Sequence, residues 1–340
     1  MKMKRNCSID LCRLLCAVLV VAIHTKPFAD VGGQLGYFGA NILPRPAVPF
    51  FFAVSGYFFI QKLERGEKNI LGDILKVCGV YFVWSCIYWL FDFARWGYLD
   101  IKGFIKTCVL PFFVSGSMYH FWYFPALIIS MILASAFYKL KIGKALLPVS
   151  ILCYALGCLL GVYYHIVKGI PLFFCISENP YYNEIRRILL MGFPFFASGS
   201  LVWKLQDKIN GHLNVYTSLL LLAMTTAAWV LELEFARQMK WSRSIIISAG
   251  LYLFVVALLA VLVRFPHPQL APAARICKKL ANYMYYIHPM VIEVCTFCFT
   301  SVLGIAIPDA VLFFMTVAVC LVTGRVLISF DCKWIHKLIG

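Results

Sequence analysis

Polar and apolar positions segregate along this chain in whole segments. Apolar runs fall near residues 10–29, 46–62, 76–94, 119–138, 145–164, 186–203, 213–231, 243–263, 280–302 and 306–329. Shorter stretches carrying most of the Lys, Arg and Asn separate them. A helix needs about 20 apolar residues to cross about 30 Å of hydrocarbon. The pattern therefore predicts an all-α integral membrane protein, a bundle of about ten transmembrane helices. No polar stretch is long enough for a sizeable domain outside the bilayer, so one transmembrane domain over residues 1–340 is expected. The basic start (Lys2, Lys4, Arg5) resembles that of a signal peptide, but no small-residue cleavage site follows the first run. That run is expected to be a retained span.

Composition strengthens this reading. Hydrophobic residues make up 62% and charged residues 14% of the chain, which excludes an ordinary soluble domain. The net charge of +16 would suggest a nucleic-acid partner in a soluble protein. Here the placement of the charges explains it without one. With the N-terminus in the cytoplasm, groups such as Lys62, Arg65 and Lys68, then Lys139, Lys141 and Lys144, then Arg275, Lys278 and Lys279, all fall inside. Inner Lys and Arg outnumber outer ones by about two to one, which predicts both termini cytoplasmic in a cell membrane. The fourteen cysteines are scattered, many within spans, and form neither a disulfide framework nor a zinc pattern. Cys295 and Cys298, a CxxC inside an apolar run, read as packing residues. Two outer loops, 95–118 and 165–185, mix aromatics with charge and are expected to form interfacial helices, lids or simple caps.

Ionisable groups within spans cost roughly 2.5–3.5 kcal/mol each on insertion scales and usually face a cavity or a partner. RLLCAVLVVAIHT (13–25) carries two, Arg13 and His24. At about 100° per residue they fall on one helix face, about 16 Å apart along the axis. Ala17 and Val20 lie between them and predict a shallow groove with a cation at its inner mouth. Arg13 has two simpler readings, snorkelling to the inner headgroups and pairing with Asp10 at i,i+3. His24 lies well inside the span, where an imidazole is either a satisfied structural group or a general base. Further polar positions are Ser55 at mid-depth of the second span, His120, Trp122 and Tyr123 at the outer mouth of the fourth, and Arg186 and Arg187 at the outer start of the sixth. An aromatic belt explains Trp122 and Tyr123; His120 and the paired arginines suggest a ligand with an anionic or carbonyl group. His288 and Glu293 in the ninth span need internal partners. PFFFAVSG (49–56) and PFFASG (194–199) are a weak internal echo.

Taken together, SIDLCRLLCAVLVVAIH, VPFFFAVSGYF, YHFWYFPA, RRILLMGFPFFASG and YMYYIHP, in that order, resemble the motifs of the acyltransferase-3 family of integral membrane acyltransferases. The resemblance covers essentially the whole chain. It is nearest to the membrane domain of the VanT-type serine racemases of vancomycin resistance. It implies transfer of an acyl group, acetyl above all, from cytoplasmic acyl-CoA to a hydroxyl of a cell-surface glycan or similar acceptor, with no metal. It implies His24 as the essential histidine and Arg13 as its arginine partner. Ser55, His120, Trp122, Arg187 and His288 match further motif positions, as substrate-binding residues. Ala281 departs from the family, which often has a serine there. The racemase-linked branch implies an alternative, a transport module for a small amino acid such as serine. A homo-oligomer remains open.

Overall fold

A computed structural model describes residues 5–27, 29, 32–96 and 109–330. Lys2, Lys4, the two terminal ends and residues 97–108 of the first outer loop lie outside the described residues. Those described are helical wherever they are regular, with no strand among them. The principal helices are α1 (Cys7–Thr25), α2 (Ala47–Glu64), α3 (Ile70–Trp96), α4 (Tyr123–Lys139), α5 (Leu146–Leu160), α6 (Phe193–Lys204), α7 (Val215–Gln238), α8 (Ala249–Arg264), α9 (Ala271–Phe297) and α10 (Asp309–Ser329). Each predicted apolar run coincides with one of them. Counted by length and apolarity, however, seven of the described helical segments suffice to cross a membrane, or eight if α8 and the α9 segment count together as one broken span. α4, at 17 residues, is shorter than any of those seven segments, and Pro266 and Pro268 interrupt the helical path between α8 and α9.

The chain divides into two compact units, one formed by residues up to 51 and from 261 onward, the other by residues 52–260. In the first, α1 packs along α9, and α9 along α10. Small side chains let these helices approach. Ala17, Val21, Ala281, Met284, Cys295 and Cys320 form one buried cluster. Ala281 thus fills a packing position, and Cys295 does what was expected of it, whereas Cys298 is exposed and packs into no core. The start of α1 is held by short-range chemistry. The Asn6 side chain accepts from the Ile9 N–H at 3.1 Å, a regular N-cap. The helix break at Pro266 leaves carbonyls without helical donors, and α1 supplies them. The Asn6 amide donates to the Leu262 carbonyl at 2.8 Å, the Cys7 N–H to that of Pro266 at 2.9 Å, and the Ser8 hydroxyl to that of Phe265.

In the second unit, α4, α5 and α6 pack around a π-helical turn over Arg186–Gly192. The two echo motifs meet here. A Cβ on Gly56 would collide with the Phe196 carbonyl, and one on Gly199 with the Tyr57 N–H, so α2 and α6 cross backbone to backbone. Glu232, inside α7, accepts from the Ala249 N–H at 2.9 Å and the Gly250 N–H at 2.6 Å, capping α8 from a neighbouring helix. Large apolar side chains on the outer side of α7, among them Leu219, Leu220 and Met224, are exposed, as lipid-facing positions are.

Candidate active site

Three predicted residues lie in the first unit. Arg13 donates to Asp10 Oδ1 at 3.1 Å, the i,i+3 pair that was one of its simpler readings. Asp10 is buried and also receives Arg5 Nε at 2.7 Å on its other oxygen, while Arg5 reaches the Ala274 carbonyl at 3.2 Å. Two guanidiniums therefore share one carboxylate at the N-terminal end of α1. The groove expected between Arg13 and His24 is covered: Ala17 has no exposed surface and Val20 almost none. Ala17 packs instead against α9 and α10, because a small residue at this position lets the helices close.

His24 lies beside His288, with ring centroids 5.2 Å apart and planes inclined by 33°. The local sequence explains the pose of His288. Pro289 sits inside α9 and has no N–H, so the carbonyl of Tyr285, four residues earlier, loses its helical donor. Nδ1 of His288 lies 3.0 Å from that carbonyl and 3.0 Å from the Met284 carbonyl. Carbonyls only accept, so this nitrogen carries the proton and Nε2 presents its lone pair. His288 is fully buried and His24 partly so. Tyr285 closes the surroundings, 6.3 Å from His288 and 6.4 Å from Phe51, centroid to centroid. An imidazole of fixed tautomer next to a second, more accessible one is an arrangement suited to receiving and passing a proton. Neither helix alone signals this pairing; each histidine was legible, their contact was not.

The second unit gathers three of the other four. The Ser55 hydroxyl is 3.2 Å from that of Tyr123. Phe52 lies 4.6 Å from the Tyr123 ring and 6.0 Å from that of Trp122. The Arg187 guanidinium is placed 5.7 Å over the Trp122 ring, a cation–π contact. The π-helical turn that carries Arg187 depends on Gly192, where a Cβ would press within 2.9 Å of the Arg187 carbonyl. His120 is directed elsewhere. Its ring is enclosed by Phe121 at 4.0 Å, Tyr88 at 5.3 Å and Tyr119 at 5.6 Å, and it is nearly completely buried. Sequence reasoning missed Phe52 and gave Tyr123 only a belt role; the alternation of large rings in PFFF and FWYF was the available signal. Among the described residues, no three His, Cys, Asp or Glu side chains converge as a metal site requires.

Comparison with known proteins places these features in context. A family profile described as an acyltransferase domain (acyltransferase-3) matches residues 6–325, through both compact units. Among curated proteins, an amino-acid racemase of Enterococcus faecalis is 33% identical over 183 residues, which is 53% of this chain and 24% of that protein. A serine/alanine racemase of Enterococcus gallinarum is 31% identical over 140 residues, 39% of this chain and 20% of that protein. The chain thus spans about a quarter or less of the length of these relatives. No solved structure matches significantly.

Proposed function

This chain belongs to the acyltransferase-3 family, and from that premise we propose that it is a multi-pass membrane O-acyltransferase. The donor is cytoplasmic acyl-CoA, acetyl-CoA first among candidates, and the acceptor is a hydroxyl of an extracytoplasmic glycan or similar molecule. The His24–His288 pair carries the reading. His24, the more accessible ring, takes the proton of the acceptor hydroxyl as its oxygen attacks the thioester carbonyl. The tetrahedral oxyanion then collapses, the carbon–sulfur bond breaks, and the proton on His24 is returned to the departing thiolate. His288, held as the Nδ1–H tautomer, positions the first ring and offers Nε2 as the adjoining proton acceptor. Arg13, which shares Asp10 with Arg5, is assigned to holding the anionic donor at the inner end of α1. Ser55, Trp122 and Arg187 are assigned to substrate recognition. This reading places both termini in the cytoplasm.

The test is mass spectrometry of surface glycans from cells with the wild-type chain, His24→Ala, or neither, at matched membrane abundance. An acyl mass increment present only with wild type is the expected result; identical profiles in all three would sink the proposal. The amino-acid and serine/alanine racemase relatives favour a second reading, a transport module for a small amino acid such as serine. It predicts uptake of labelled serine into proteoliposomes without any acyl donor.

A further inference from the structure

The second unit contains a cavity of about 330 Å³ that none of the residues assigned to acyl transfer or its substrates lines. Ser177, Asn179, Tyr182, Asn183, Arg186 and Arg243 form most of its wall, and that wall is mainly polar. Its volume is roughly eleven times the 30 Å³ share of one water, enough for a small polar group and too large for a structural water. The wall is built, not incidental. The Arg243 N–H donates to the Gly161 carbonyl at 3.1 Å, and the His165 N–H to the Trp241 carbonyl at 2.9 Å, tying residues 161–165 to 241–243. The Arg243 guanidinium lies 4.9 Å over Tyr164 and 5.8 Å over Tyr182, and Arg186 lies 5.8 Å over the same Tyr182 ring. One tyrosine thus holds two guanidiniums at the cavity.

Charge and surroundings decide what fits. Arg243 pairs with Glu178 at 3.0 Å, whereas Arg186 has no carboxylate partner among the described residues. Two cations against one anion leave a charge of +1, which matches a singly charged oxyanion. The serine and the two asparagines add neutral groups suited to hydroxyls. The wall also belongs to a segment of short helices, Tyr164–Val167 and Pro171–Ser177, whose Ile166, Leu172 and Phe174 are more than half exposed. Short helices that expose large apolar side chains beside polar ones are stable in the interfacial layer of a bilayer, at the depth of lipid headgroups. The singly charged oxyanion that a bilayer itself supplies at that depth is the phosphodiester of its headgroups.

We propose that this cavity is a binding site for a phosphodiester headgroup, gripped by Arg186 and Arg243, which both lie over Tyr182. The site stands apart from the acyl-transfer reading and does not depend on it. The source is either a phospholipid of the surrounding bilayer or a water-soluble glycerophosphodiester, and the experiment separates the two. The purified full chain in detergent is loaded with phosphatidylglycerol, or with diacylglycerol of the same chains. Retained lipid is read by native mass spectrometry and stabilisation by thermal unfolding.

The expected result is retention and a higher Tm with phosphatidylglycerol only, lost at least fivefold in Arg186→Gln and kept in Arg186→Lys. Arg237→Gln, which breaks an exposed ion pair on α7, should behave as wild type. Displacement of phosphatidylglycerol by glycerophosphoglycerol assigns a soluble source, and resistance to it a bilayer lipid; both uphold the phosphodiester. Equal retention by wild type and Arg186→Gln, equal retention of diacylglycerol, or equally good displacement by L-serine overturns the proposal. If Arg186→Gln does not fold, the two comparisons on the wild-type chain decide it alone.

Discussion

Pro289 shows how one residue can set the chemistry of its neighbour. By withholding an N–H it releases the Tyr285 carbonyl, and the imidazole of His288 takes the vacated bond, which fixes its tautomer. Pro289→Ala restores the backbone donor and makes it compete with Nδ1. The expected outcome is opposite in sign for two measurements. Thermal stability rises, since an interior proline costs a helix about 3 kcal/mol in the unconstrained case. Acyl transfer falls about tenfold, equivalent to ~1.4 kcal/mol of barrier, with KM for acyl-CoA unchanged. Parallel loss of both would mean that the proline serves packing alone. Much of this scale was legible beforehand. An imidazole or guanidinium in an apolar run stands out, so His24, His288 and Arg13 were singled out individually. Their partners were legible only when close in sequence, as Asp10 is to Arg13. The His24–His288 contact joins the two ends of the chain, and no local pattern encodes it.

At the scale of elements, the contact between α2 and α6 is the most demanding, because two glycines from the two echoing motifs supply its closest approach. Valine at either position would have to displace backbone rather than a flexible side chain. Overpacking typically costs 1–3 kcal/mol, and a backbone collision belongs at the upper end of that range or beyond. Gly56→Val and Gly199→Val should each lower the Tm in detergent sharply. Gly79→Ala on α3, where a Cβ meets open space, should leave it unchanged or slightly raised. A Tm for Gly56→Val within a degree of wild type would contradict the crossing. Glu232 offers a second test of an element boundary. Glu232→Ala removes the acceptor of two α8 N–H groups and of the Tyr163 hydroxyl, 2.6 Å away, and should cost about 2 kcal/mol. The echo of PFFFAVSG in PFFASG was visible but did not by itself encode the crossing; nothing in the sequence hinted at the cap, since an acidic residue at the end of an apolar run signals only that some donor awaits it.

For the whole molecule, hydropathy located the helices well and counted the crossings less well, for a physical reason. Apolarity reports that a segment avoids water, not that it runs from one face of the bilayer to the other. α8 and α9 are long and apolar enough to cross only when taken together, and Pro266 and Pro268 between them permit either two spans or a single broken one. The two cases place the following loop on opposite sides. If α8 and α9 are separate spans, and the other apolar runs cross as the charge bias predicts, then residues 303–307 lie outside and the segment beyond α10 is cytoplasmic. If they form one span, residues 303–307 are cytoplasmic and the chain leaves α10 on the outside. The charge bias favours the first case, because Arg275, Lys278 and Lys279 then remain on the inner side with the other clusters. Gly304, an exposed residue at positive φ between the helical turn of 298–302 and α10, reports the difference directly. In intact cells, on a background without other reactive cysteines, Gly304→Cys is expected to react with a membrane-impermeant maleimide. Reaction only after permeabilisation would move the loop inside, reverse the exit side of α10 and reduce the bundle by one span, while leaving the packing of α1 on α9 and the His24–His288 pair as they are.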